Sequence, residues 1–289
     1  MKNMSKIWLG VIGIVALTQC SPVEDSSIVL HLTDGPLGAN DVTGVYVTIS
    51  DLEYRLSEGE WQDVPNFKRI EEVNLVELTD GNPFTIGEFP AIPGNYAALR
   101  FRIEAPIQGE EGVKNPESYL EFSSGETAPL YLPEGSSYIF QADGTFQVPL
   151  SGTTELVADF GTRRGISFSA DNGTYTLDPQ IRVVSLTHSG TIKGELKNFE
   201  SIGAYTMVYA FKSGSFNPSA SNESFTNAVA WDVIHENSFE LRSLTRNDYD
   251  LYFVAFDANG EVLEQQGEIQ SISVDAGNVT TVFIDGNDL

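Results

Sequence analysis

Val42-Thr43-Gly44-Val45-Tyr46-Val47-Thr48-Ile49 alternates, with Val45, Val47 and Ile49 on one side and Tyr46 and Thr48 on the other. A period of two is what a strand with one buried face requires, because successive side chains point to opposite faces of a sheet. Similar β-prone runs cover 28–32, 74–78, 96–103, 118–122, 145–150, 155–160 and 181–186. Between them stand Asp34-Gly35-Pro36, Asp80-Gly81, Pro93-Gly94, Asp143-Gly144 and Asp171-Asn172-Gly173, which supply the positive φ and the local side-chain hydrogen bonds of tight turns. No stretch carries an apolar stripe at helical spacing over roughly 12 residues. The chain reads as all-β.

After 185–190 a second set of runs begins, at 190–196, 205–211, 228–234, 238–244, 249–256, 261–265 and 279–284. Asp257-Ala258-Asn259-Gly260 between two of them is a hairpin signal. The expected architecture is two β-sandwiches behind a cleaved leader. Its divisions are a signal peptide over 1–19, a tether over 20–27, a first sandwich over 28–187 and a second over 188–289. No sequence repeat relates the two sandwiches.

The leader has Lys2 and Lys6 followed by an unbroken apolar run over 7–17, too short for a membrane-spanning helix, which needs roughly 20 residues. The run ends in Leu17-Thr18-Gln19-Cys20, and Cys20 is the only cysteine. This order resembles the lipobox of Bacteroidota-type lipoproteins, with Gln19 where the usual residue is small. The resemblance implies cleavage before Cys20 and a lipid on its sulfur, so that the chain is anchored in the bacterial outer membrane. Ser21 to Asp25 resembles the acidic signals that send such lipoproteins to the cell surface; the periplasmic face is the alternative. Several acyl chains on one residue anchor firmly where a single chain binds marginally.

Forty-one acidic residues face 16 basic ones, for a net charge of −25. A field of that sign repels phosphate backbones, so nucleic acid is excluded as a partner. The basic residues pair only at Lys68-Arg69 and Arg163-Arg164, and neither pair makes a processing site near Ile28.

Several motifs resemble, in order, a family catalogued as domain of unknown function 4382. They are Val29-Leu30-His31-Leu32-Thr33-Asp34-Gly35-Pro36, then 41–49, Gly59-Glu60-Trp61, 74–81, Pro93-Gly94-Asn95-Tyr96 with Leu99-Arg100-Phe101, 156–160 and 177–183. The resemblance spans about 27–187 and implies a lipoprotein and a sandwich, without an activity. In the second part, Gly190-Thr191-Ile192-Lys193-Gly194, Val208-Tyr209-Ala210-Phe211, Phe239-Glu240-Leu241 and Tyr249-Asp250-Leu251-Tyr252-Phe253 resemble the transthyretin-like, carboxypeptidase-regulatory and Cna-B group. Asn247-Asp248 there replaces the usual glycine before the tyrosine. The implied fold is of the immunoglobulin-like or transthyretin-like kind.

Catalytic patterns are missing from the sequence. There is no Gly-x-Ser-x-Gly, no His-Glu-x-x-His, no phosphate loop and no cysteine cluster, and His31, His188 and His235 are scattered. The expectation is therefore no enzyme, no catalytic residue, no metal site and no cofactor. Calcium is the alternative at acid-rich turns: Asp34 with Asp41, Asp257 with Asn259, and Asp285, Asn287 and Asp288. Such turns supply oxygen ligands, but aspartate and asparagine are also ordinary turn residues.

The loop 213–225, longer than a hairpin needs, carries Phe216 and Phe225, and Trp231 follows. These three form either a ligand platform for sugar stacking or a plug for the sandwich end, the latter being favoured. The loop 107–117 is its counterpart in the first sandwich. The function expected is non-catalytic binding or adhesion at the cell envelope, with a glycan or surface-protein ligand. One alternative is a structural subunit of a fimbria-like assembly. A third reading, a glycan-acting enzyme, would need two facing carboxylates.

Overall fold

A computed structural model describes residues 25–35, 37, 41–79, 83–109, 117–169, 171–216, 225, 227–258 and 260–289. Leu17, Thr18, Gln19 and Cys20 lie outside the described residues, as do 110–116, 217–224 and Asn259. No helix among the described residues is long and apolar enough to cross a membrane.

The alternation read at residues 42–49 belongs to a longer strand, Val42–Leu56, the centre of a ten-stranded sheet. Its neighbours include Gly94–Glu104, antiparallel along its second half, and Tyr119–Phe122 along its first. A four-stranded sheet lies opposite, in the order Arg182–Ser185, Gly152–Asp159, Ser26–Thr33, Phe84–Pro90. Ser26–Thr33 alternates buried and half-buried along its whole length, so Leu30 and Leu32 meet Val45, Val47, Ile49, Phe101 and Ile103 in one core. Burial of such side chains contributes about 1.5–3 kcal/mol each relative to leaving them exposed. That strand begins at Ser26, two residues inside the stretch expected as tether.

The second half is a two-sheet sandwich of seven strands. One sheet runs Ser238–Thr245, Ser189–Lys197, Val279–Asp285; the other runs Ala230–Val233, Tyr205–Lys212, Asn247–Phe256, Val262–Val274. Ile192, Val208, Ala210, Leu241, Leu251 and Phe253 fill the space between them. No strand of residues 189–285 pairs with a strand of residues 26–185 among the described residues. The protein is all-β, in two sandwiches.

Each sandwich is pinned by a buried tyrosine. The Tyr96 hydroxyl donates to the Ile92 carbonyl at 2.9 Å, and the Tyr249 hydroxyl donates to the Thr245 carbonyl at 2.6 Å. Both bonds reach back four residues and close a corner between strands.

Residues 74–78 differ from the expected strand. The strand is Ile70–Asn74, and Leu75–Leu78 is a 3-10 turn. The reason is local: the Asn74 carboxamide oxygen accepts from the Val76 and Val45 backbone N–H groups, offering the chain a turn in place of a ladder. Strands such as Phe84–Pro90 and Ile166–Ser169 were not expected; they are short or largely exposed and carry little alternation. The strand expected over 261–265 runs to Val274, with three register shifts against its neighbour.

Candidate binding cleft between the sandwiches

The strands Tyr205–Lys212 and Asn247–Phe256 read as nearly continuous apolar runs, and almost every residue in them is buried. Val208, Ala210, Leu251 and Phe253 face the sandwich core. Met207, Tyr209, Phe211, Tyr252, Val254 and Phe256 point the other way and form a second apolar cluster with Trp231. A strand buried on both faces loses its polar alternation. Two things cover the outer face here: the sandwich's own long loop and the first sandwich.

The loop supplies Phe216 and Phe225. Phe216 packs on Tyr252 with ring centroids 3.9 Å apart, and Phe225 stacks on Tyr209 at 4.6 Å. The two phenylalanines lie 6.4 Å from each other. Trp231, the third residue of the expected platform, is only 6% exposed and has the Arg164 guanidinium 4.6 Å over its ring. The structure therefore gathers all three into one aromatic cluster, and one face of Trp231 is occupied by a cation.

The first sandwich supplies arginines. Arg163 donates to the Tyr209 hydroxyl at 3.2 Å and to the Leu37 carbonyl at 2.5 Å, with its guanidinium over Phe256. Arg164 donates to the Ala228 carbonyl at 3.1 Å. Arg182 links the Asp159 carboxylate at 3.1 Å to the Ser243 carbonyl at 2.9 Å. Ser243 sits at a bulge, with φ of 54°, and the bulge aims its carbonyl out of the ladder.

Asp34 holds this joint from below. It is buried and accepts from the Thr162 backbone N–H, the Thr162 hydroxyl and the Gly35 N–H. Burial, and next the charge of Asp159, push its carboxyl up to about 8 despite those donors. The indole of Trp231 lies so close to Gly35 that an added Cβ there would stand 2.6 Å from Nε1. Only glycine permits that approach.

Beside the joint a cleft of about 390 Å³ opens between the sandwiches. Asp34 and Asp159 belong to its first-sandwich wall; Lys193, Trp231, Glu240 and Arg242 belong to the other. Glu240 takes ion pairs from Lys193 at 3.3 Å and Arg242 at 2.6 Å. Asp232 accepts the Glu240 and Val233 backbone N–H groups. Sequence reasoning found Trp231 but not the cleft; the pair Arg163-Arg164 was the available signal.

The histidines sit on different elements: His31 bonds Thr85, His188 lies by Ser185 and Thr187, and His235 closes a bridge to Ser238. Among the described residues no group of three or more His, Cys, Asp or Glu could hold a metal ion. Of the turn acids, Asp257 accepts the Glu261 N–H. Lys197, with Asn198 and Asn287, holds the Asp285 carboxyl well below its usual range.

An all-β, two-sandwich chain with a charged joint is thus defined by its structure. It belongs to the family described as Domain of unknown function (DUF4382), which matches residues 25–179, more than half of the chain. A search of the curated proteins returns no match. Similar solved structures include the Bacillus anthracis TIE protein, 9% identical over 90% of this chain and 34% of that one, with a TM-score of 0.19. Others are a minor pilin of Streptococcus agalactiae (10% identity, 89% and 94% covered, 0.20) and a putative adhesin of Bacteroides ovatus (11%, 97% and 98%, 0.20). The chain spans 34% of the first of the similar structures and 26% of a second, a leucine-rich repeat protein of Bacteroides thetaiotaomicron.

Proposed function

We propose that the protein is a lipid-anchored cell-envelope protein that binds a glycan or a surface protein without transforming it. The observation that carries this reading is the joint. Two sandwiches are tied through Arg163, Arg164 and Arg182 so that a polar cleft opens between them, which is where ligand sites form preferentially. The leader, ending in the lone Cys20, supplies the anchor, and an anchored pair of sandwiches presents the cleft at the membrane surface.

The test has two arms. Cys20→Ala should abolish lipid labelling and release the chain from the membrane fraction; a variant still in the membrane fraction removes the anchor. Protease treatment of intact cells should degrade the protein, and a screen of glycans and matrix proteins should find a ligand. Full protection from protease would place it on the periplasmic face and remove adhesion.

A fimbria-like subunit is the second reading. It is favoured by the edge strand Val279–Asp285, which pairs on one side with Ser189–Lys197 and exposes Val279 and Phe283, the latter at 76%. A sheet edge with apolar side chains is a template for strand addition. Phe283→Ser should then abolish polymers on the cell surface and leave ligand binding intact.

A further inference from the structure

Among the basic residues of this acidic chain, Arg163, Arg164, Arg182, Lys193 and Arg242 all lie at the joint or in the cleft beside it. Four of the acids there have partners within the protein. Glu240 is held between Lys193 and Arg242, Asp159 is paired with Arg182, and Asp34 and Asp232 accept donors from the chain. A charged ligand gains little in such a place, because it meets partners that are already compensated. A hydroxyl, which both donates and accepts, can bridge the two members of an ion pair.

Two buried polar atoms of the wall remain unsatisfied among the described residues: Asp159 Oδ1, an acceptor, and Trp231 Nε1, a donor. Buried polar atoms in native proteins nearly always have a partner. Trp231 and Phe239 border the same cleft and are 6% and 4% exposed. A space of about 390 Å³ falls within the range of small-molecule sites, roughly 300–1,000 Å³, and fits a short run of sugar rings.

We propose that the cleft between the sandwiches binds a neutral glycan segment, its hydroxyls meeting Asp159, Lys193, Glu240 and Arg242. This rests on the binding reading above and narrows it to one site and one ligand class. Phe216 and Phe225 pack with Trp231 in the aromatic cluster on the outer face of its sheet and do not line the cleft.

The experiment uses the chain after its leader with Trp61→Phe, which leaves Trp231 as its only tryptophan. Maltohexaose, cellohexaose, xylohexaose and mannohexaose are titrated in turn by calorimetry and by indole emission. At least one should saturate and change the Trp231 emission. Arg242→Ala and Glu240→Gln should each weaken it by about tenfold or more, the effect of losing one hydrogen bond to a charged group. Leu150→Ser, at an 82% exposed position of the first sandwich, should change nothing. Both cleft positions are partly exposed, and unchanged circular dichroism shows that the variants fold. Saturable binding indifferent to both cleft variants would overturn the cleft and leave the binding reading standing. No saturable binding of any of the four overturns the proposal, and the binding reading then rests on the surface-protein screen alone.

Discussion

Thr162 donates its backbone N–H and its hydroxyl to the carboxylate of Asp34, a residue 128 positions earlier in the chain. The bond joins the end of the first strand to the turn that carries Arg163 and Arg164. It therefore fixes where those arginines emerge toward the second sandwich.

The first prediction concerns protonation. Asp34's folded value, about 8, lies above the ordinary 3.8. A group raised in this way contributes stability that is fully present below about pH 4 and is lost as pH rises through about 8. The slope from this one group reaches about 1.4 kcal/mol per pH unit at most. Asp34→Asn retains the geometry, because the amide oxygen accepts the Thr162 N–H and the amide nitrogen donates to the Thr162 hydroxyl. Urea midpoints measured from pH 5 to 9 should fall with pH more steeply in the wild type than in the variant. Parallel curves would show that Asp34 titrates normally.

Tyr96 and Tyr249 make the second. Each hydroxyl bonds a carbonyl four residues back from an otherwise buried ring. Phenylalanine keeps the ring and loses the bond, so each substitution should cost about 1 kcal/mol, with the double variant near the sum. Urea denaturation read by circular dichroism measures it, and a neutral result at either position would mean that its corner is closed by packing alone.

The third concerns the joint. Arg182 is the side chain that spans from Asp159 to the Ser243 carbonyl. Arg182→Ala should loosen the contact by roughly 1–3 kcal/mol, toward the lower end because the side chain is partly exposed. Cleavage by proteinase K near the connecting turn Leu186–His188 should accelerate several-fold. Arg182→Lys should fail to restore protection, because one ammonium lacks the planar fork that serves both acceptors.

How much of this was readable beforehand divides by range. The alternation of Val45, Val47 and Ile49 is a one-face signal, and the structure buries those residues as read. The run from Met207 to Phe211 read only as one more strand, and nothing local says that Arg163 and Arg164 arrive from the other sandwich to cover one of its faces. Asp34 read as a turn residue because Asp-Gly-Pro is turn chemistry. Its burial depends on Thr162, a contact with no trace in neighbouring sequence. At 74–78 the error was local instead: the apolar Leu75, Val76 and Leu78 looked like a strand while Asn74 capped a turn.

Asp250 carries the last prediction. Its neighbours along the strand are Tyr249 and Leu251, both buried, yet a carboxylate sits between them at 5% exposure. Burial alone would raise its pKa. The Gly214 N–H at 2.8 Å, the Ser271 N–H at 2.9 Å and the Ser213 hydroxyl at 2.9 Å outweigh burial and hold the carboxyl below its ordinary value. Those donors come from the turn that opens the long loop after Lys212 and from a bulge where Ser271 has φ of 61°, so one carboxylate fixes two irregular backbones. Its folded value being depressed, Asp250 contributes stability that is present above about pH 4 and lost as pH falls through the folded value. Asp250→Asn keeps an acceptor and loses the charge, and Asp250→Ala strands two backbone donors. The expected costs at pH 7 are about 1 kcal/mol for the asparagine and about 2–4 kcal/mol for the alanine. Lowering the pH from 7 to 3 should shrink the gap between wild type and asparagine variant, as read from urea midpoints at each pH. A gap that stays constant would mean that the charge is irrelevant and the site is held by shape.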